Sequence, residues 1–265
     1  MSVTGVLGQI VERAKVQVAS RREMLPLEVV QTLADEAGPV RSFRAALQKN
    51  GAINVIAEYK RRSPSKGLIR EDLSPQDVAL AYEAAGAAAL SVLTEEEFFG
   101  GSLDHLTAAR GAAQIPALRK DFTVDAYQIW EARAAGGDAV LLIVAALTDA
   151  ELTTFLAEAK EARVDALVEV HDAPELSRAL AAGAQIVGVN NRNLKTMEVR
   201  LETSLDLAAK IPAGVVKVAE SGIKTAADIQ KLRGAGYDAF LIGEHLMLSP
   251  EPGAALHELL TSAKP

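Results

Sequence analysis

The chain contains no cysteine in 265 residues. That excludes disulfides, thiolate metal sites and a thiol nucleophile together. Histidine is also sparse: His105, His171, His245 and His257 are scattered without metal-ligand spacing, so no metal site is expected. Excess positive charge is missing too. With 28 basic against 35 acidic residues the net charge is −7, and no basic face offsets it, which excludes a nucleic-acid partner. Long apolar runs are absent. The longest, Ala139 to Leu147, falls far short of the roughly 20 residues of a membrane span. The opening Met-Ser-Val-Thr-Gly-Val-Leu-Gly has neither the basic region nor the apolar core of a signal peptide. A soluble, cytoplasmic protein with no membrane partner is the expectation.

What is present is a strand–helix rhythm. Eight short apolar segments recur every 20–35 residues or so: Ile53–Glu58, Ala89–Leu93, Ala117–Lys120, Ala139–Val144, Ala166–Val170, Gln185–Asn190, Val215–Glu220 and Ala239–Gly243. Most are continuously hydrophobic, as parallel strands buried on both faces require. Between them lie helix signals. Ser74-Pro75 is an N-cap with proline at the first helical position, and Thr148 to Glu151 and Asp172 to Glu175 have capping-box spacing. Gly86, Gly136, Gly183 and Gly236 stand where helices stop. Eight such units in an α/β chain predict a (β/α)8 TIM barrel, with a doubly wound open sheet as the alternative. Residues 1–50 stand outside the rhythm. They read as three helices, Val6–Ala19, Pro26–Ala34 and Ser42–Leu47, forming an N-terminal helical extension packed on one end of a single barrel domain spanning 1–265.

In such barrels the working face is the C-terminal end of the strands. Strand one brings Glu58 and Lys60 there, with Arg61, Arg62, Ser63 and Lys66 following. Strand three brings Lys120, Asp121 and Phe122, strand five Glu169, and strand six Asn190 with Arg192. Strand seven brings Glu220, Ser221 and Gly222, and strand eight Gly243 and Glu244. Any one polar residue at a strand end could simply be meeting solvent. Five strands each ending in a polar residue directly after an apolar run point instead to a site. Ser221-Gly222 after strand seven and Gly243-Glu244 opening a short helix after strand eight are placed as a phosphate cradle, where free N–H groups face the anion. The competing account is that both glycines serve only tight turns. Phe99 and Phe122 are candidates for lining an apolar pocket. His171 shares the strand-five face with Glu169, but a surface or capping role is the simpler account of it.

Several segments together resemble the indole-3-glycerol-phosphate synthase family of tryptophan biosynthesis. They are "IAEYKRRSPSKG", "LSVLTEEEFFGGS", "LRKDFTVDAYQIWEARAAGGDAVLLI", "ALVEVH", "VGVNNRNLKT" and "VAESGI", in that order across essentially the whole chain. One departure is Glu244, where some members have serine after the glycine. The resemblance implies a cofactor-free ring closure of 1-(2-carboxyphenylamino)-1-deoxyribulose 5-phosphate, with loss of CO₂ and water. It implies Lys120 as general acid with Glu169 as its carboxylate, and Lys60 beside Glu58 holding substrate and serving dehydration. Asn190 and Ser221 would orient the reacting groups. Ser63 and Arg192 would lie near the carboxylate or sugar hydroxyls, and Phe99, Phe122 and the apolar end of strand four would hold the aromatic ring. Glu220 and Glu244 would lie within the substrate site, while Gly222 and Gly243 would offer backbone N–H groups to the phosphate. Arg61, Arg62 and Lys66 would steer the substrate from solvent.

A free lysine titrates near about 10.4, so an acid at neutral pH is expected to be lowered by burial or by the second lysine. The expected partner is a phosphorylated small molecule, and the expected state a monomer. Two rivals remain open: an isomerase or Schiff-base aldolase on the same fold, and a catalytically silent sugar-phosphate-binding barrel.

Overall fold

Eight parallel strands close on themselves in the computed structural model. They are β1 Asn54–Tyr59, β2 Ala89–Leu93, β3 Ala117–Lys120, β4 Ala139–Ile143, β5 Asp165–Val170, β6 Ile186–Asn190, β7 Val216–Glu220 and β8 Ala239–Ile242. Each pairs with its sequence neighbours, and β8 pairs back onto β1 from Asn54 with Ala239 to Ala57 with Ile242. An open sheet would leave those two strands as edges; here the circle is complete, a (β/α)8 barrel. Every strand lies within one residue of its expected bounds. The structure describes residues 5–194 and 196–264. Residues 1–4 of the start read above for a leader, and Lys195 of the strand-six motif, lie outside them. No helix among the described residues is long and apolar enough to cross a membrane.

The helix signals act as their chemistry dictates, with one exception. The Ser74 and Thr148 side chains accept from the N–H of Asp77 and Glu151, and Glu151 returns the bond to complete a capping box. Asp172 likewise accepts from the Glu175 N–H, but the Glu175 carboxylate is turned instead to His171. That second box is therefore half made. The four glycines named above all have left-handed φ, from 82° to 97°.

The extension forms α1 Gly5–Met24, α2 Leu27–Glu36 and α3 Phe43–Ala46. One stripe of α1 is buried, Leu7, Ile10, Val11, Ala14 and Val18 at helical spacing. Leu7 and Ile10 reach the rim of the barrel mouth. At the opposite end Phe43 and Leu47, both at zero exposure, join the inward residues of the strands. The Arg44 N–H donates to Asp165 at the start of β5, and Asn54 Nδ2 donates to the Leu47 carbonyl. The extension thus touches both ends of the barrel, because α3 supplies the plug that the strands alone leave open. Burying a phenylalanine there is worth about 1.5–3 kcal/mol.

Strand alternation then sets the site. Ile56, Leu118, Leu167, Val218 and Leu241 form part of the barrel's inner core. Two residues further along each strand, on the same inward face, stand Glu58, Lys120, Glu169, Glu220 and Gly243. The apolar layer is the floor on which the polar layer rests.

Candidate active site

Above that floor is a cavity of about 820 Å³, lined by residues from the ends of the strands and by Leu7 and Ile10 of α1. The size suits a small organic ligand. All fourteen site residues expected from the sequence line it: Glu58, Lys60, Ser63, Phe99, Lys120, Phe122, Glu169, Asn190, Arg192, Glu220, Ser221, Gly222, Gly243 and Glu244. Of the three steering cations only Lys66 is at the wall. Arg61 pairs with Glu71 at 3.7 Å, and the Arg62 side chain lies against Gly100. Of the apolar end of strand four, Ile143 lines the cavity and Val144–Leu147 do not.

Two lysine–carboxylate pairs line the cavity. Lys60 Nζ donates to Glu58 Oε1 at 2.7 Å, and Lys120 Nζ lies 3.5 Å from Glu169 Oε2. Burial, the largest influence on Lys120, pushes its pKa down, but Glu169, Glu220 and Glu58 together outweigh it and leave the ammonium held well above the usual lysine range. This corrects the expectation of a lowered lysine. The second lysine is spent on Glu58, and three carboxylates surround the first.

Glu169 and Glu220 divide their protons. Burial raises both, but Lys120 and His171 overcome it at Glu169 and hold that carboxyl far below the carboxylate range. At Glu220 burial and the neighbouring Glu169 charge win over Lys120 and push the pKa up to about 8. Glu169 is thus the ionised member and Glu220 the protonated one at neutral pH. Glu220 Oε1 is buried without a hydrogen-bond partner.

Two glycines make room for these carboxyls. A Cβ on Gly188, which neighbours Glu169 in register, would overlap the Glu220 carboxyl; one on Gly243 would overlap that of Glu58. Gly243 has φ −126°, so a tight turn does not explain it. Gly188→Ala is expected to cost about 1–3 kcal/mol of stability through overpacking and to displace Glu220. Thermal unfolding and turnover read together would check it. Unchanged values for both would mean the carboxyl has another place to go.

Beyond the floor, Phe99 and Phe122 bring their rings to 6.1 Å at 38°, one apolar wall. At the other end Ser221 has φ +66°, a conformation L-residues seldom take. Buried Asn191 secures it by donating to the Ser221 carbonyl at 3.1 Å while accepting from the N–H and hydroxyl of Ser204. Asn191 was not singled out from the sequence; its position directly after Asn190 was the available signal. Glu244 pairs with Arg192 at 3.7 Å across the rim. His171, given a surface or capping role from the sequence, is instead largely buried between Glu169 and Glu175, and the cap is Asp172.

A closed parallel barrel with buried lysines and carboxylates gathered over one apolar cavity defines a (β/α)8-barrel enzyme built for acid–base chemistry. Two solved structures that it resembles, both of low identity, show the fold alone. A mandelate oxidase mutant with benzaldehyde aligns at a TM-score of 0.62 with 17% identity, over 95% of this chain and 92% of that one. Thiamine phosphate pyrophosphorylase from Pyrococcus furiosus aligns at 0.60 with 16% identity, over 81% and 96%. The sequence comparisons are narrower: the family described as indole-3-glycerol phosphate synthase matches residues 7–259, and the chain belongs to it. A curated indole-3-glycerol phosphate synthase of Albidiferax ferrireducens is 47% identical over 264 residues, covering 98% of this chain and all of that one.

Proposed function

We propose that the chain converts 1-(2-carboxyphenylamino)-1-deoxyribulose 5-phosphate to indole-3-glycerol phosphate, CO₂ and water. The observation that carries this reading is the pair of lysine–carboxylate couples, 2.7 and 3.5 Å apart internally, facing one cavity with an aromatic wall. Such a substrate has an aromatic ring for Phe99 and Phe122, and a phosphate for the N–H groups around Gly222 and Gly243. Its carboxylate suits Lys60, Ser63 and Arg192.

The ring carbon bearing the carboxylate attacks the ketone carbon, and Lys120 gives its proton to the ketone oxygen. A developing alkoxide is more basic than any lysine, so a raised pKa does not stop this transfer. Loss of CO₂ restores the aromatic ring. The new hydroxyl leaves as water with a proton from Lys60, and Glu58 takes up the carbon-bound proton. Two protons are given and one recovered, so one is drawn from solvent for each CO₂ released. Asn190 and Ser221 orient the reacting groups. None of these steps calls for a cofactor, and the enzyme is taken to work as a single-domain monomer in the cytoplasm.

The test adds this substrate to purified protein in buffer with a chelator and follows indole fluorescence. A rise proportional to enzyme concentration is expected. No rise from folded protein would overturn the proposal in favour of an isomerase or a silent barrel.

A further inference from the structure

Glu169 has a basic side chain at each oxygen. Lys120 Nζ lies 3.5 Å from Oε2, and His171 Nε2 lies 3.3 Å from Oε1. The imidazole is gripped from behind: Nδ1 is 3.0 Å from Glu175 Oε2, which also accepts from the His171 backbone N–H at 2.8 Å. The side chain is only 13% exposed, and Nε2 is buried with no hydrogen-bond partner, so the Glu169 oxygen 3.3 Å away is the contact the structure gives it. A histidine that merely opened the helix Ala173–Ala181 would need neither carboxylate at its ring. The Glu175 carboxylate, moreover, abandons its half of the capping box to hold it.

We propose that His171 is a positioning residue: braced by Glu175 as an imidazolium, it fixes one oxygen of Glu169 so that the other is presented to Lys120. The inference rests on the reading of Lys120 and Glu169 as a working pair. Glu169 and Glu220 are close enough that ionising one opposes ionising the other, and two cations on the Glu169 side decide which keeps the proton. The ring's own protonation follows from the same contacts. Burial favours the neutral form, but Glu169 and Glu175 outweigh it and raise the pKa to about 10. The charged groups arranged around it are Glu169 on β5, Glu175 on its own helix, and, beyond Glu169, Lys120 on β3 and Glu220 on β7. The turn Val144–Ala146 after β4 brings no titratable side chain.

The test has two arms. In ¹⁵N-labelled wild-type protein the ring nitrogens of His171 are followed from about pH 5 to 9, the range in which an unperturbed histidine titrates. Both are expected to stay protonated, and in Glu175→Gln, which keeps an acceptor in place, the ring is expected to titrate within that range. In the second arm, kcat against pH is measured for wild type and His171→Asn. Removing a cation from Glu169 makes that carboxylate easier to protonate, so the acid limb moves up by about one pH unit or more, while KM stays within about twofold. A wild-type ring that is neutral at pH 7, or superimposable kcat profiles, would overturn the proposal. Absence of indole product from wild type would sink the proposed function instead, and the ring titration would still decide the clamp. Should His171→Asn fail to fold, the Glu175→Gln titration carries the decision.

Discussion

Replacing Lys120 with methionine is expected to lower kcat by about two to four orders of magnitude, the usual worth of a positioned acid. The fold should survive, because methionine matches the aliphatic stem and the ammonium stands at the cavity rather than in the core. Its loss also removes the principal cation beside Glu169, so both that carboxyl and Glu220 become easier to protonate. The variant is therefore expected to lose its residual rate at higher pH than the wild type does. Lys60→Met should behave differently. The pair with Glu58 lies beside the loop carrying Ser63, on the side assigned to the substrate carboxylate, so KM should rise along with any fall in kcat. Steady-state indole fluorescence over a pH series separates the two. A Lys120→Met enzyme turning over within tenfold or so of wild type would remove Lys120 from the role of acid.

The difference between what was legible in the sequence and what was not lies in what each feature depends on. Strand bounds could be read to a residue because each strand is buried on both faces, which makes its hydrophobicity continuous and its ends abrupt. The polar residues of the cavity floor followed, since Glu58, Lys120, Glu169, Asn190 and Glu220 end those runs. The protonation pattern did not follow. Whether Lys120 is raised or lowered depends on how many carboxylates face it, and only the closed barrel brings Glu58, Glu169 and Glu220 to one amine. His171 was misassigned for the same reason: next to an N-cap aspartate it has an ordinary local explanation, and its contact with Glu169 depends on side-chain direction. Gly188 could have been found. A glycine inside a strand costs stability and marks a close approach, and here the approaching group is Glu220. The position of α3 was hidden because four residues with three apolar side chains carry no statement about which end of a barrel they plug.

The residue before Lys120 should give the opposite phenotype. Arg119 points to the other face of β3 and is 2% exposed. Its guanidinium donates to Asp121 Oδ2 at 2.9 Å, to the Gln128 carbonyl at 2.7 Å, and to Glu131 Oε2 at 3.2 Å, with Thr94 Oγ1 at 3.1 Å. Arg119→Met would leave Asp121 without its cation and the Gln128 carbonyl without its donor, in a place water does not reach. Breaking a buried pair from one side costs about 3–5 kcal/mol, and urea unfolding should register it as a lowered midpoint with an unchanged slope. Arg21, which holds the other side of Glu131 at 2.7 Å from α1, is a quarter exposed, and its loss should cost only about 1 kcal/mol. Asp121 keeps Thr94 and the Phe122 N–H as donors, so the loop after β3 retains its anchor. Turnover per folded molecule should then stay within about tenfold of wild type, well short of the loss a missing acid brings. Adjacent residues on one strand would thus separate cleanly, Lys120 setting rate and Arg119 setting stability. An Arg119→Met protein as stable as wild type would show that the two acidic groups find other partners. If it were stable but inactive, the buried ion network would belong to the site rather than to the scaffold.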